Sequence, residues 1–235
     1  IVITGASDGI GAAASRQLVA RGHQVVLVGR SPEKTRAVAN EVGMPHHLAD
    51  FSDLAQVRRL AGELLAAYPR IDVLANNAGG IFGPRKLTTD GFEQTFQVNH
   101  LGPFLLTNLL RERLVESEAS IIQTASAAAR IFSRFDINDL NGARRYSGRV
   151  AYGNAKLANI LFTRELQRRW GSEGISAGAF HPGVVATGFA GNLTGPFRFM
   201  YHNPLAKRLL TTTDEGGKRL VFLADGTPGT DWLPG

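Results

Sequence analysis

Short apolar runs rich in β-branched residues alternate with longer stretches of helical period, and no other feature of this chain constrains its fold as strongly. The runs "IVIT" (1–4), "QVVLV" (24–28), "IDVLAN" (71–76), "ASIIQTA" (119–125) and "GISAGAF" (174–180) read as strands. Ile10 to Arg21, Pro32 to Val42, Asp53 to Tyr68, Gly91 to Glu116, Val150 to Trp170 and Asp214 to Ala224 place apolar residues at three- and four-residue spacings and read as helices. Ser31-Pro32 and Ser52-Asp53 supply start signals. Strands this apolar suit a sheet covered on both faces, and β-α-β alternation demands right-handed parallel crossovers. The expectation is an α/β fold: a doubly wound parallel sheet in three αβα layers, built as a single domain over 1–235.

Composition narrows the function classes. With 235 residues, 43% hydrophobic and 20% charged, the chain can bury a sizeable core. The net charge of +6 is spread along the chain rather than gathered in a run, so no nucleic acid partner is expected. Without cysteine there are no disulfides, thiolate metal sites or Cys nucleophile, and the six histidines show no ligand spacing. No metal is expected. No apolar run approaches the ~18 residues of a membrane span, and the chain reads as soluble and cytoplasmic. "IVIT" already looks mid-strand, leaving no room for a signal peptide, and both ends read as trimmed.

Directly after the first strand comes "TGASDGIG", which leads into a helix. Glycine lets backbone approach a pyrophosphate, and the helix N-terminus receives it with free N–H groups and a positive dipole end. Gly5, Ser7, Asp8, Gly9, Ile10 and Gly11 are therefore the expected dinucleotide contacts, although the spacing differs from G-x-G-x-x-G. The second strand ends "QVVLVGRS", with no acid to hold a ribose 2′-hydroxyl. Arg30 stands there instead, able to grip a 2′-phosphate or to face solvent. NADP (NADPH) is expected over NAD.

Further motifs follow in order: "NNAG" (76–79), Asn99 in a long helix, Ser126 after a strand, Tyr152 with Lys156, and "HPGVVAT" (181–187). Taken with the glycine loop, the chain resembles the single-domain short-chain dehydrogenase/reductases along almost its whole length. "NHLGPFLLTNLL" and "AYGNAKLANILFTREL" look most like the retinol dehydrogenase and WW-domain oxidoreductase branch. The resemblance implies a Rossmann-like fold, with Asp50 and Phe51 near the adenine and Asn76, Ala78 and Gly79 lining the cofactor cleft. Pro182, Gly183, Val185 and Thr187 would then flank the nicotinamide. Other readings stay open: Asp50 as a helix cap in competition with Ser52 and Asp53, Asn76 and Asn77 as turn formers, and Thr187 as a loop residue.

Tyr152 is the expected proton-transfer group. A phenol with an ordinary pKa of ~10 is a poor base at neutral pH, and a positive charge beside it favours phenolate. Residues four apart share a helix face, so Lys156 can serve Tyr152. The other tyrosines have Asp72, Val150 and Leu205 at that offset. Ser126, at the carboxyl end of the sheet, would hydrogen-bond the substrate oxygen, with Thr124 and Ser133 as rivals of poorer register. By resemblance, Asn99 would hold a water that relays protons through Lys156, although a long helix could also carry Asn99 for a local kink and the two readings can coexist; Lys156 would also bond the nicotinamide ribose.

The stretch from Pro182 to Lys207 reads as irregular. Phe189, Leu193, Phe197, Phe199, Met200 and Tyr201 make it apolar, which suggests a lid at about 188–212 over an apolar alcohol or carbonyl substrate. The same residues would equally pack onto their own domain or onto another subunit of a homodimer or homotetramer. A cofactor-binding regulator without turnover is the alternative function, and an epimerase or dehydratase is a third.

Overall fold

The computed structural model describes residues 1–183 and 211–235. Among the described residues, six parallel strands form one sheet in the order β3-β2-β1-β4-β5-β6: β1 Val2–Thr4, β2 Val26–Gly29, β3 His46–Leu48, β4 Val73–Asn76, β5 Ser120–Thr124 and β6 Ser176–Phe180. Parallel neighbours need crossovers, and the helices that make them cover both faces. Successive strand residues point to opposite sides. Val2, Val26, Leu74 and Ile121 join a core with α3 (Leu54–Ala67), α5 (Gly102–Leu109) and α8 (Gly148–Trp170). Ile3, Leu27, Ala75 and Ile122 join a second core with α1 (Gly9–Ala20) and α9 (Thr213–Asp225). The expected three-layer doubly wound fold is present.

Strand order reverses between β1 and β4, because the chain leaves β1 toward β2 and β3 and returns to the other side for β4. A cleft opens at the carboxyl ends of strands where order reverses, and ligands of open α/β sheets bind there. Among the described residues, the glycine loop after β1, Asn77 to Gly79 after β4, and Ser126 after β5 follow the carboxyl ends of those strands, and Lys156 bonds the Thr124 carbonyl there.

Two elements differ from expectation. β3 is an edge strand of sequence "HHL", with no apolar run to announce it; His47 makes it fit by bonding Glu63 at 2.9 Å and setting its ring edge-on to Tyr68. The helix expected over 91–116 is broken into α4 (Gln94–Phe96), a π turn (Gln97–Leu101), α5 and α6 (Arg111–Glu116). Pro103 accounts for the interruption after the π turn, because it lacks the N–H that would reach the Asn99 carbonyl in a continuous α-helix. A short α7 (Ala128–Ile131) follows β5, and α2 (Pro32–Val42) runs from a Ser31 cap to Gly43 at φ +67°.

Candidate active site

The loop between β1 and α1 has a shape that only glycine permits. Gly5 and Gly9 hold φ of +67° and +55°. A Cβ on Gly5 would lie 2.8 Å from Ala78 Cα, and one on Gly11 would collide with the Gly5 carbonyl oxygen. Asp8 caps α1 by accepting from Gly9 N at 2.7 Å and pairs with Lys34 at 2.9 Å; that bond holds its carboxyl below the usual range. Both partners are exposed, so the pair shapes the loop more than it stabilises the fold. The N–H groups of Ile10 and Gly11 meet no acceptor among the described residues. Open N–H groups on a helix start, beside backbone with no side chain to block approach, fit a pyrophosphate.

Along the same edge, Ser7 packs beside Gly29, where a Cβ would come within 2.9 Å of Ser7 Cβ. Arg30 is exposed at the end of β2 and has no partner among the described residues. Asp50 accepts from Ser52 N at 2.9 Å and Ser52 Oγ at 2.7 Å, while Asp53 accepts from Ala55 N and caps α3. The contest for that cap therefore goes to Asp53. The Phe51 side chain is buried in the core against Gly102, and its carbonyl accepts from Gln97 Nε2 at 3.3 Å.

In "NNAG" the two asparagines do different work. Asn76 is buried and donates to Thr107 Oγ1 at 2.9 Å. Asn77 ties three strand ends together: its Nδ2 donates to the Thr4 carbonyl at 3.0 Å and its Oδ1 accepts from Thr124 Oγ1 at 3.3 Å. Asn77 and Ala78 also donate backbone N–H bonds to Thr4 Oγ1, both at 3.0 Å. Asn77 thus sets the cleft floor, a role that no local pattern announces. Gly79 is required beyond it, since a Cβ there would collide with Asn99 Oδ1 and stand 3.3 Å from Lys156 Nζ.

Tyr152 and Lys156 lie on α8, both almost wholly buried. Lys156 donates to the Thr124 carbonyl at 2.8 Å, and its nitrogen is 5.5 Å from the centroid of the Tyr152 ring. Burial pushes the Lys156 ammonium down to about 7. Ser126, half-buried just past β5, accepts from Ala128 N at 3.2 Å. Gly153 brings its segment close: a Cβ there would lie 2.8 Å from Ser133 N and 2.9 Å from the Ala128 carbonyl, so a larger residue would push α7 away from Tyr152. Asn99 is fully buried in the π turn. Its Nδ2 donates to the carbonyls of Gly80 and Thr95, both at 2.7 Å, and its Oδ1 accepts from Gly80 N at 3.1 Å. The side chain braces the loop under the cleft, leaving no amide hydrogen for the expected water.

Pro182 is buried and Gly183 takes φ +91°, with Thr211 packed where a Cβ would sit. Val185, Thr187 and the apolar lid residues lie outside the described residues. A groove of about 1200 Å³ runs past Ser126 between α8, β6 and α9; Tyr152, Lys156 and Asn99 do not line it. Among the described residues no cluster of His, Asp and Glu is placed to hold a metal ion, and no helix is long and apolar enough to cross a membrane.

This fold and edge define a class of nucleotide-dependent enzymes, and the comparisons place the chain within it. Residues 1–195 match the short chain dehydrogenase family. The chain belongs to that family of oxidoreductases. DnrU of Streptomyces sp. (strain C5), provisionally named a daunorubicin C-13 ketoreductase, is 45% identical over 231 residues, which cover 95% of this chain and 77% of DnrU. Retinol dehydrogenase 12 of Mus musculus is 43% identical over 192 residues, 79% of this chain and 61% of its own length. A solved structure from Beutenbergia cavernae, provisionally named an NAD(P)-dependent gluconate 5-dehydrogenase and holding NADP at low occupancy, superposes with a TM-score of 0.73. It is 26% identical and covers 95% of this chain and 88% of its own.

Proposed function

We propose that the protein is an NADP(H)-dependent oxidoreductase that interconverts an apolar alcohol and its ketone or aldehyde, with Tyr152 as the acid and base. The observation that carries this reading is Lys156, buried one helical turn past Tyr152 at the edge of the sheet where the glycine loop opens. Burying an ammonium costs several kcal/mol, which a surface pair would not require.

When bound, the nicotinamide gives or takes the hydride at the substrate carbon. Tyr152 Oη takes the hydroxyl proton as the alcohol is oxidised and returns it when the carbonyl is reduced. Lys156, in its protonated form, stabilises the phenolate, and Ser126 Oγ donates to the substrate oxygen, where negative charge gathers. Ile10 and Gly11 N–H groups would receive the pyrophosphate, with Gly79 at the cleft floor. Exposed Arg30, with no acid beside it, supports a 2′-phosphate and hence NADP. The relatives' names pair a ketone with an alcohol, the two ends of one hydride transfer. Residues 188–212 would close over the substrate within the same domain.

The test is a panel of apolar ketones and aldehydes offered with NADPH or NADH and followed by nicotinamide absorbance. The parent should turn over with NADPH. Tyr152→Phe should keep NADPH binding and lose roughly a hundredfold or more in turnover. Full cofactor binding without turnover across the panel would overturn the reading in favour of a regulator.

A further inference from the structure

Tyr152, Lys156 and Asn159 follow one another at helical spacings of four and three on α8, so they share a buried face. Asn159 has 1% of its surface exposed. Its Nδ2 donates to the Asn99 carbonyl at 3.0 Å, and its Oδ1 stands 3.0 Å from His100 Nδ1. The hydrogen positions follow by elimination. A carbonyl oxygen only accepts, so the amide NH₂ faces Asn99; Oδ1 then faces the imidazole, and His100 Nδ1 must be the donor. The bond therefore runs from His100 to Asn159 and from Asn159 to the Asn99 carbonyl.

That carbonyl is where Pro103 withholds an α-helical donor. Asn159 supplies one from across the helix pair. Asn99 in turn holds both backbone groups of Gly80 with its side chain, next to Gly79, whose missing Cβ leaves Lys156 Nζ close by. His100 is wedged among Phe96, Phe104 and Phe162, with ring centroids 5.3 to 6.0 Å away, so it has little freedom to turn from Asn159.

We propose that Asn159, held by His100, is a positioning residue: it locks the π turn to α8 and so fixes the Gly79–Gly80 cleft floor relative to Tyr152 and Lys156. The inference rests on the reading of Tyr152 and Lys156 as the proton-transfer pair. Misplacement by about 1 Å at such a site costs on the order of a hundredfold in rate.

The test compares Asn159→Leu, His100→Leu, His100→Asn and Tyr152→Phe in the full chain, with para-nitrobenzaldehyde and NADPH as the probe. Asn159→Leu should lower kcat at least tenfold, change the KM for NADPH less than threefold, and displace the pH limb of kcat. His100→Leu should shift both in the same direction, whereas His100→Asn, whose amide can donate from near the Nδ1 position, should stay within threefold of the parent. If Asn159→Leu does not fold, the two His100 variants decide alone: equal kcat and pH profiles for both overturn the proposal. So does Asn159→Leu with parental kcat and pH profile. Should Tyr152→Phe stay active, or the parent turn over nothing across the ketone and aldehyde panel, the proton-transfer reading falls and this inference falls with it.

Discussion

Lys156 Nζ stands 5.5 Å from the centroid of the Tyr152 ring while donating to the Thr124 carbonyl oxygen at 2.8 Å. A single side chain thus joins the last residue of β5 to the face of α8 that carries the tyrosine.

The cost of that placement should be visible in stability. Burial lowers the Lys156 ammonium from 10.5 to about 7, so between those values the unfolded chain holds a proton that the folded chain does not. Stability contributed by this group therefore rises with pH across that window, and the penalty is fully present below it. Its upper size is roughly 5 kcal/mol. Lys156→Met should remove the dependence: relative to the parent, the variant should look best at about pH 6 and lose that advantage by about pH 10 in denaturant melts. A gap that does not change with pH would sink this account.

Two glycines make a matched pair. Gly11→Ala drives a methyl group into the Gly5 carbonyl and toward Asn77 Nδ2 at 2.7 Å, so NADPH affinity should fall by about tenfold or more, with about 1–3 kcal/mol lost in stability. Gly62, exposed within α3, has nothing within 4 Å of its missing Cβ. Gly62→Ala should add about 0.5–1 kcal/mol through helix propensity and leave affinity unchanged. Bound-NADPH fluorescence and thermal melts separate the two outcomes.

Arg30→Asp should reverse cofactor choice. A carboxylate at the end of β2 repels a 2′-phosphate and accepts from a ribose hydroxyl, so kcat/KM should drop with NADPH and rise with NADH. Unchanged preference would move the 2′-phosphate contact to another residue.

Gly153→Ala tests the contact between α7 and α8. The added methyl must displace Ser133 N or the Ala128 carbonyl, at a cost of about 1–3 kcal/mol, and it moves the Ser126 segment away from Tyr152. Turnover should fall further than the loss of folded protein explains, as measured by kcat corrected for the active fraction. Full activity per folded molecule would mean that Ser126 keeps its position without that contact.

Legibility in the sequence followed the range of the forces involved. α2 and α8 were readable because caps and three-to-four spacing are local: Ser31 and Pro32 open α2, and an apolar stripe marks α8. The glycine loop was readable for the same reason. β3 was not, because "HHL" earns its place through His47 and its partners on α3 and beyond. The break at Asn99 was half legible, since Pro103 was in plain view within a run that otherwise reads as helix. Asn77 and Asn159 were hidden more completely. Their partners lie 73 and 60 residues away along the chain, and only the folded sheet edge brings them together.

The 23-residue span of α8 has a consequence for how the site moves. Tyr152 and Lys156 share their helix with Phe162, Leu166 and Trp170, all embedded in the main core. Shifting Tyr152 and Lys156 means opening that core, so amides around 152–159 should be among the slowest to exchange with deuterated solvent. On the proposed reading, the acid and its lysine partner are then anchored by the same packing that holds the sheet together.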